Sequence, residues 1–287
     1  MLKLFRPVIR SRHPSHSILR RRNPAKLLPL LPFKSVIRFG SFTSLRDTES
    51  VGGNRVEINT TEAIKNSASK WLMKLCFKEA NVQTADWWNF NKEGALKGPD
   101  GRINYKVEEL PFPIIAKSFF GSRNKGNTKL DSIEEYHKWA DGKDTRKYVF
   151  EKFYNYAREY RLHVTADGCF YTCRKMLKQD TPDKDKWYRN DEHCVWIREE
   201  NDLFDKPVNW DKVVKESVKA LNAVGLDIGA VDLKIQSAKT KKGNIKKDPH
   251  FIVIEINSAP SFGDVTTEKY VAQLPIVLNN KYKLQNG

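Results

Sequence analysis

Apolar residues recur at helical spacing in three segments of the chain. Residues 60–80 predict one amphipathic helix with a break near Ser67, and residues 131–142 predict a second helix capped by Asp131 or Ser132. Residues 210–224 predict a third, which ends at Gly225. Its expected apolar face consists of Val213, Val214, Val218, Leu221 and Val224.

Short apolar runs between these segments predict strands. The clearest are PIIAKSFF, KYVFEKFY, DIGAVDLKIQ and HFIVIEINSAP, with a further strand in the N-terminal run PFKSVIRFGS. The segment REYRLHVTADGCFYTCRKML predicts a hairpin, because Asp167 and Gly168 separate two alternating runs. Residues 180–208 are polar and irregular, which favours a loop or lid. The order of helices and strands indicates an α/β (α+β) protein.

Charge and composition narrow the class of protein. The 287 residues carry a formal net charge of +16, and the first 46 residues contain no acidic side chain. A field of this sign attracts polyanions, including nucleotides, nucleic acids and acidic proteins. We therefore expect the basic N-terminus and the lysine-rich 237–250 loop to bind an acidic macromolecular partner. No apolar run is long enough to cross a membrane, so no membrane association is expected.

The Arg-rich start of the chain has two interpretations. It is typical of a mitochondrial transit peptide, which leaves the mitochondrial matrix as a minor alternative to the expected cytoplasmic location. However, it runs into an apolar strand-like segment that ends at Gly40, and this favours a folded element of the protein. The four cysteines lack zinc-site spacing, so no role is assigned to them.

Three oxygen-bearing side chains stand out on the last two predicted strands. Asp232 interrupts one apolar strand, and Glu255 and Asn257 lie two positions apart on the next, so that they share a strand face. Buried charges of this kind require partners, and Mg²⁺ prefers carboxylate and carbonyl oxygens combined with phosphate oxygens. We expect a magnesium site here, with a carboxylate paired to nearby Lys or Arg on a solvated sheet face as the alternative.

A second candidate is the segment KSFFGSRNKG. Lys117 lies on a predicted strand, and the loop that follows contains Gly121, Ser122, Lys125 and Gly126. Glycines let backbone N–H groups approach phosphate oxygens, although this is not a P-loop and an ordinary basic turn is equally compatible with it. If the loop binds phosphate, we expect a mobile lid that closes over the phosphate groups.

The order of these motifs resembles the ATP-grasp superfamily, in particular its carboxylate–amine ligase branch, which includes ribosomal-protein glutamate ligases and D-alanine ligases. The resemblance covers about residues 56–278 and is most specific at AVDLKI and VIEINSAPSF. The opening of the chain resembles compact members associated with phage genomes, for which the compartment is the host cytoplasm. The family usually carries a larger leading domain and a more glycine-rich phosphate loop.

The resemblance implies two α/β lobes with antiparallel sheets that clasp ATP. Residues 1–58 would be a short basic N-terminal α/β element, residues 59–152 the first lobe with the phosphate loop, and residues 153–287 the second lobe with the metal site. It also implies one or two Mg²⁺ ions, which Mn²⁺ can replace, held by Asp232, Glu255 and Asn257.

The remaining site residues follow from the same resemblance. Lys70 and Lys117 would bind the α- and β-phosphates, and the loop from Gly121 to Gly126 would cover the β- and γ-phosphates. Glu151, Lys152 and Phe153 would frame the adenine, largely through backbone groups, and Glu159 would bind the ribose. The expected catalytic residues are Lys117, Arg161 and Arg174, with the two arginines facing the transferred phosphate or the substrate carboxylate.

The implied activity is ATP-dependent formation of an amide or peptide bond. A small-molecule or peptide carboxylate would form an acyl phosphate, which an amine would then attack. Two alternatives stay open at this point. One is a kinase of the same fold that phosphorylates a small molecule, and the other is a basic nucleic-acid-binding protein.

Overall fold

The computed structural model describes residues 3–11, 13–20, 28–42, 55–121, 126–190, 192–240 and 242–287. The chain begins with a small parallel sheet of three strands, β1 (Val8–Ser11), β2 (Lys34–Phe39) and β3 (Arg55–Ile58). β2 confirms the strand predicted for the N-terminal apolar run.

Two helices follow the small sheet, α1 (Thr61–Ala68) and α2 (Lys70–Glu79). Ser69 ends the first helix, and its side chain accepts a hydrogen bond from Leu72 N at 3.3 Å to cap the second. The predicted break in the 60–80 helix is therefore confirmed, and it places Lys70 in the first turn of α2.

A six-stranded antiparallel sheet comes next. It consists of β4 (Trp87–Phe90), β5 (Leu96–Lys97), β6 (Ile103–Tyr105), β7 (Ile114–Ser118), β8 (Asn127–Leu130) and β9 (Tyr148–Lys152), in the order β6-β5-β4-β9-β7-β8. The helix α3 (Ile133–Ala140) is capped by Ser132, one of the two predicted caps, and places Tyr136 in the core of this sheet.

The second large sheet has five antiparallel strands. They are β10 (Arg158–Thr165), β11 (Gly168–Leu177), β12 (Cys194–Arg198), β13 (Ile228–Ile235) and β14 (Phe251–Asn257), in the order β12-β11-β10-β13-β14. The helix α4 (Trp210–Ala223) packs on one face, and α5 (Asp264–Asn286) ends the chain. The prediction that residues 180–208 are irregular throughout is wrong, because they contain the edge strand β12. Its five residues lie between polar segments, so the strand did not stand out in the sequence.

A β-bulge in the predicted hairpin decides which side chains share a sheet face. Thr165 pairs with Gly168 and Val164 with Cys169, but His163 pairs with Tyr171, so the register shifts by one residue. Beyond the bulge Glu159 therefore pairs with Lys175, whereas an uninterrupted hairpin would bring position 174 opposite Glu159.

The buried apolar side chains form three clusters that show how the elements pack. The cluster of the five-stranded sheet includes Ile64 of α1 and Phe77 of α2, and the cluster of the N-terminal sheet includes Leu274 of α5. The predicted boundaries at residues 58/59 and 152/153 stay predictions, but α1 and α2 pack with the five-stranded sheet. Within the described residues, no helix has the length and apolar character needed to cross a membrane.

Candidate active site

One face of the five-stranded sheet is charged. Along β10, Tyr160 and Leu162 point into the apolar core, so the alternate positions Glu159, Arg161 and His163 point to the opposite side. The register brings further polar side chains of neighbouring strands to the same side. We call this side the site face, and it carries Glu159, Arg161, His163, Lys175, Asp232, Lys234, Glu255 and Asn257.

Asp232 lies at the centre of the site face. Arg161 donates to both carboxylate oxygens of Asp232, at 2.7 Å each, and Lys175 Nζ donates to Oδ2 at 2.9 Å. Lys175 also donates to Glu159 Oε1 at 3.0 Å. Burial alone would raise the pKa of Asp232, but the two cations outweigh it and hold that pKa below its ordinary value. One carboxylate thus orients an arginine and a lysine from two other strands.

Glu255 and Asn257 lie beside Asp232 with few partners of their own. Asn257 Nδ2 is 3.4 Å from Asp232 Oδ2 and 3.3 Å from Glu255 Oε1. In the described part of the chain, no cationic side chain lies within ion-pair distance of Glu255. The structure therefore brings the three predicted metal ligands together. It gives Asp232 protein cations as partners, whereas Glu255 has no ion pair with any described residue.

This arrangement fits a magnesium ion that is held partly by a ligand. Among the described residues, no group of three or more His, Cys, Asp and Glu side chains would hold a metal ion by itself. Magnesium commonly uses only one or two carboxylates and completes its shell with water and phosphate oxygens. Suitable oxygen ligands are the carboxylate of Glu255 and the amide oxygen of Asn257. Asp232 can also serve as a ligand where Arg161 and Lys175 release it.

A second charged cluster comes from the six-stranded sheet and α2. Lys117 of β7 donates to Glu151 Oε2 of β9 at 2.8 Å, and Lys74 Nζ of α2 lies 3.3 Å from Glu151 Oε1. Lys74 is fully buried, and burial lowers its pKa to about 8 although Glu151 opposes the shift. Lys70 donates to the carbonyl oxygen of Gly121 at 3.0 Å, at the start of the predicted phosphate loop.

The two clusters are electrostatically coupled. Burial lowers the pKa of Lys70, and the charges that act on it next are Glu255 of the site face and Lys117 of the six-stranded sheet. Burial also lowers the pKa of Lys234 to about 8, with Glu159 opposing the shift and Lys117 adding to it. Charged groups of the two sheets therefore act on the same side chains.

The segment that connects the sheets contributes an aromatic ring. Lys129 Nζ lies 5.2 Å and Lys234 Nζ 5.4 Å from the ring centroid of Phe153. The backbone N–H groups of Lys152 and Phe153 donate to Asp86 and Pro113 carbonyls at 2.9 and 3.0 Å. These two predicted base-framing amides are thus already used within the protein, and the side chain of Phe153 is the group offered to the site.

Cations outnumber carboxylates in the combined site. The cations are Lys70, Lys74, Lys117, Arg161, Lys175, Arg189 and Lys234, and the carboxylates are Glu151, Glu159, Asp232 and Glu255. Most of these side chains are buried, where an uncompensated charge is costly. The excess of positive charge suits a polyanionic ligand such as a triphosphate.

The site face offers no activated nucleophile. Burial raises the pKa of Cys173 to about 12, and burial lowers the pKa of His163 to about 3. The Nδ1 atom of His163 forms a hydrogen bond with the hydroxyl of Tyr270 at 3.0 Å. Both residues therefore stay neutral near pH 7, so Cys173 is not a thiolate and His163 is a weak base.

Arg174 is the predicted catalytic residue that the structure does not bring to the site. It pairs in register with Tyr160, whose ring lies in the apolar core, and its guanidinium donates to the Leu203 carbonyl at 2.7 Å. The cause is the β-bulge, which moves Lys175 into the position beside Glu159. Ser122 and Lys125 of the predicted phosphate loop, and the lid expected there, lie outside the described residues, whereas Gly121 and Gly126 are described and exposed.

Four site residues escaped the sequence reasoning, namely Lys74, Lys175, Arg189 and Lys234. Lys234 lies two positions after Asp232 on a predicted strand, so strand periodicity could have suggested it. Lys175 reaches the site only through the bulge, which has no signal in the sequence. Lys74 follows Lys70 by one helical turn, and this spacing places both lysines on one side of α2.

No family model matches the chain, and no curated protein sequence matches it. Solved structures do match. D-alanine–D-alanine ligase from Bacillus anthracis aligns with a TM-score of 0.61 at 12% identity, over 98% of this chain and 98% of that chain. Its complex with ATP aligns with a TM-score of 0.61 at 13% identity, over 98% and 97%.

A second enzyme shares the architecture. N5-carboxyaminoimidazole synthase from Aspergillus clavatus, in complex with ADP and 5-aminoimidazole ribonucleotide, aligns with a TM-score of 0.53 at 15% identity, over 85% of this chain and 60% of that chain. At these identities the likeness concerns the fold. The two antiparallel sheets and these structural neighbours confirm the predicted architecture, and the chain has the ATP-grasp fold.

Proposed function

We propose that the protein is an ATP-dependent ligase that joins a carboxylate to an amine. The observation that carries the proposal is the buried excess of cations between the two sheets. It lies next to Glu255 and Asn257, and Glu255 forms no ion pair with a described cation. The structural neighbours support it, because they include a D-alanine–D-alanine ligase complexed with ATP and a synthase complexed with ADP.

In this proposal the triphosphate lies between the lysines of the two clusters. Lys70, Lys74 and Lys117 neutralise phosphate charge from the side of the six-stranded sheet, and Lys175 does so from the site face. Arg161, held by both oxygens of Asp232, faces the γ-phosphate and the substrate carboxylate. Mg²⁺ bound by Glu255 and Asn257 would screen the phosphate charge that builds up as the bond to the γ-phosphorus breaks.

The reaction follows from this positioning. A carboxylate oxygen of the first substrate attacks the γ-phosphorus, which gives an acyl phosphate and ADP. The amine then attacks the acyl carbon, phosphate leaves, and the amine proton passes to solvent or phosphate. No covalent enzyme intermediate is needed, so the neutral His163 and Cys173 are compatible with the chemistry.

Release of ADP in the presence of carboxylate and amine pairs tests the activity. We expect one specific pair of amino acids or peptides to support turnover with Mg-ATP. In Glu255→Gln the rate of ADP release should fall by at least about 100-fold while the fold is retained. The variant lacks the carboxylate that would hold Mg²⁺, so the negative charge of the transition state loses its counter-ion. The control Glu268→Gln alters an exposed carboxylate of α5 and should keep full activity. Full activity in Glu255→Gln would reject the metal assignment, and ADP release that needs no amine would favour a kinase.

The bulge in the hairpin gives a paired test of the nucleotide site. Lys175→Met should weaken Mg-ATP binding by roughly tenfold or more, because one charge-assisted contact is lost and Asp232 and Glu159 lose a counter-charge. Arg174→Met changes the next residue of the same strand, on the opposite sheet face, and should keep the affinity within about threefold of the wild type. Titration calorimetry measures both affinities, and circular dichroism verifies the fold. Equal losses in the two variants would contradict the assignment.

An acidic macromolecular partner is the remaining proposal from the charge distribution. In its described residues the 237–250 loop is a hairpin, in which Lys246 N donates to the Ala238 carbonyl at 2.8 Å and Ile245, the bridge partner of Lys239, is 68% exposed. Lys241 lies outside the described residues. Replacing Lys242, Lys246 and Lys247 with Gln should weaken binding to an acidic polypeptide and flatten its salt dependence above about 0.1 M. Unchanged binding and salt dependence would leave the hairpin without this role.

A further inference from the structure

Lys234 occupies an unusual place on the site face. It is the register partner of Glu159, the residue expected to bind the ribose, and its ammonium lies 5.4 Å from the ring centroid of Phe153, which is expected to frame the base. The residue is 8% exposed. Lys234 therefore lies beside both the residue expected to bind the ribose and the ring expected to frame the base.

The ammonium of Lys234 has fewer acceptors than its chemistry requires. It donates to the carbonyl oxygen of Trp187 at 3.2 Å, and no carboxylate of the described residues lies within ion-pair distance of it. A lysine ammonium carries three donors, and burial of a cation with unfilled donors is costly. A ligand that supplies acceptor atoms at this point would fill them.

The two purine bases differ in what they present to such a donor. On the edge that bears the six-position, guanine offers two acceptors, N7 and O6, whereas adenine offers N7 and a donor amino group. A cation fixed beside that edge gains a second acceptor from guanine and meets the amino group of adenine. Such a cation therefore favours a base with an oxygen at the six-position.

We propose that Lys234 is a specificity-determining residue of the nucleotide site, and that it donates to the O6 and N7 edge of a guanine base. This proposal rests on the proposed nucleotide-dependent function. Its consequence is that the protein binds Mg-GTP at least as tightly as Mg-ATP. The base preference then originates from one side chain of β13, separate from the lysines assigned to the phosphates.

Dissociation constants for Mg-ATP and Mg-GTP test the proposal in the full-length protein. Calorimetry should give a GTP affinity equal to or greater than the ATP affinity in the wild type. In Lys234→Met the ratio of GTP to ATP affinity should fall roughly tenfold, the effect of one hydrogen bond to a charged group.

Lys129→Met is the matched control. The ammonium of Lys129 lies 5.2 Å from the centroid of the same Phe153 ring, but it pairs with Asp131 on the adjoining loop. Its removal should leave the GTP to ATP ratio as in the wild type. An equal change of the ratio in both variants would assign the preference to the aromatic ring and overturn the role of Lys234.

The outcomes separate this proposal from the proposed function. If ATP binds and the ratio of GTP to ATP affinity is unchanged in Lys234→Met, the base assignment is overturned and the proposed function stands. If the wild type binds neither ATP nor GTP, both proposals are overturned.

If Lys234→Met does not fold, two further nucleotides test the base assignment in the wild type. Inosine triphosphate, which has O6, should bind roughly tenfold tighter than 2-aminopurine riboside triphosphate, which lacks it. Equal affinities would overturn the proposal.

Discussion

Charge burial between the two antiparallel sheets is the constraint on which the rest of the structure depends. A buried lysine or arginine loses its hydration and is retained only if carboxylates, dipoles or a ligand replace the lost water. In this protein Glu151 forms ion pairs with Lys74 and Lys117. Asp232 pairs with Arg161 and Lys175, and Glu159 also pairs with Lys175. Among the described residues the carboxylates are fewer than the cations, which agrees with the proposal that a ligand supplies part of the compensation.

Asp232 links the site to the framework that carries it. Its carboxylate joins side chains from β10, β11 and β13, three adjacent strands whose opposite face is packed against α4. The apolar core thus fixes the strands, and the strands fix the cations without any long loop. Preorganised charges of this kind stabilise transferred phosphoryl groups with little reorganisation, which agrees with a site that has no activated nucleophile.

The sequence predicted the architecture well because the decisive signals were local. Asp232, Glu255 and Asn257 stand out in strands made of Val, Ile and Leu, and strand periodicity alone places Glu255 and Asn257 on one face. The hairpin strands were also visible from their apolar alternation around Asp167 and Gly168. The resemblance of the motif order then supplied the correct fold.

The register of the hairpin could not be predicted, and it changed the composition of the site. The bulge between His163 and Val164 follows from packing of the folded sheet, and no residue type marks it. As a result Lys175 replaced Arg174 on the site face. The buried Lys74 was missed for a similar reason, since helical periodicity assigns lysines to the solvent side, whereas here Glu151 of another element holds one inside.

Calorimetric titration of the wild-type protein with Mg-ATP, at a pH slightly above 8 and in two buffers of different ionisation enthalpy, tests the central claim most directly. Burial lowers the pKa of Lys74 to about 8, so its ammonium group is partly deprotonated at that pH. Phosphate charge placed between the sheets must raise this pKa again, because an opposite charge favours the protonated form. The account predicts that the nucleotide binds with net uptake of protons. Absence of binding, or binding with no uptake or with release of protons, would contradict it.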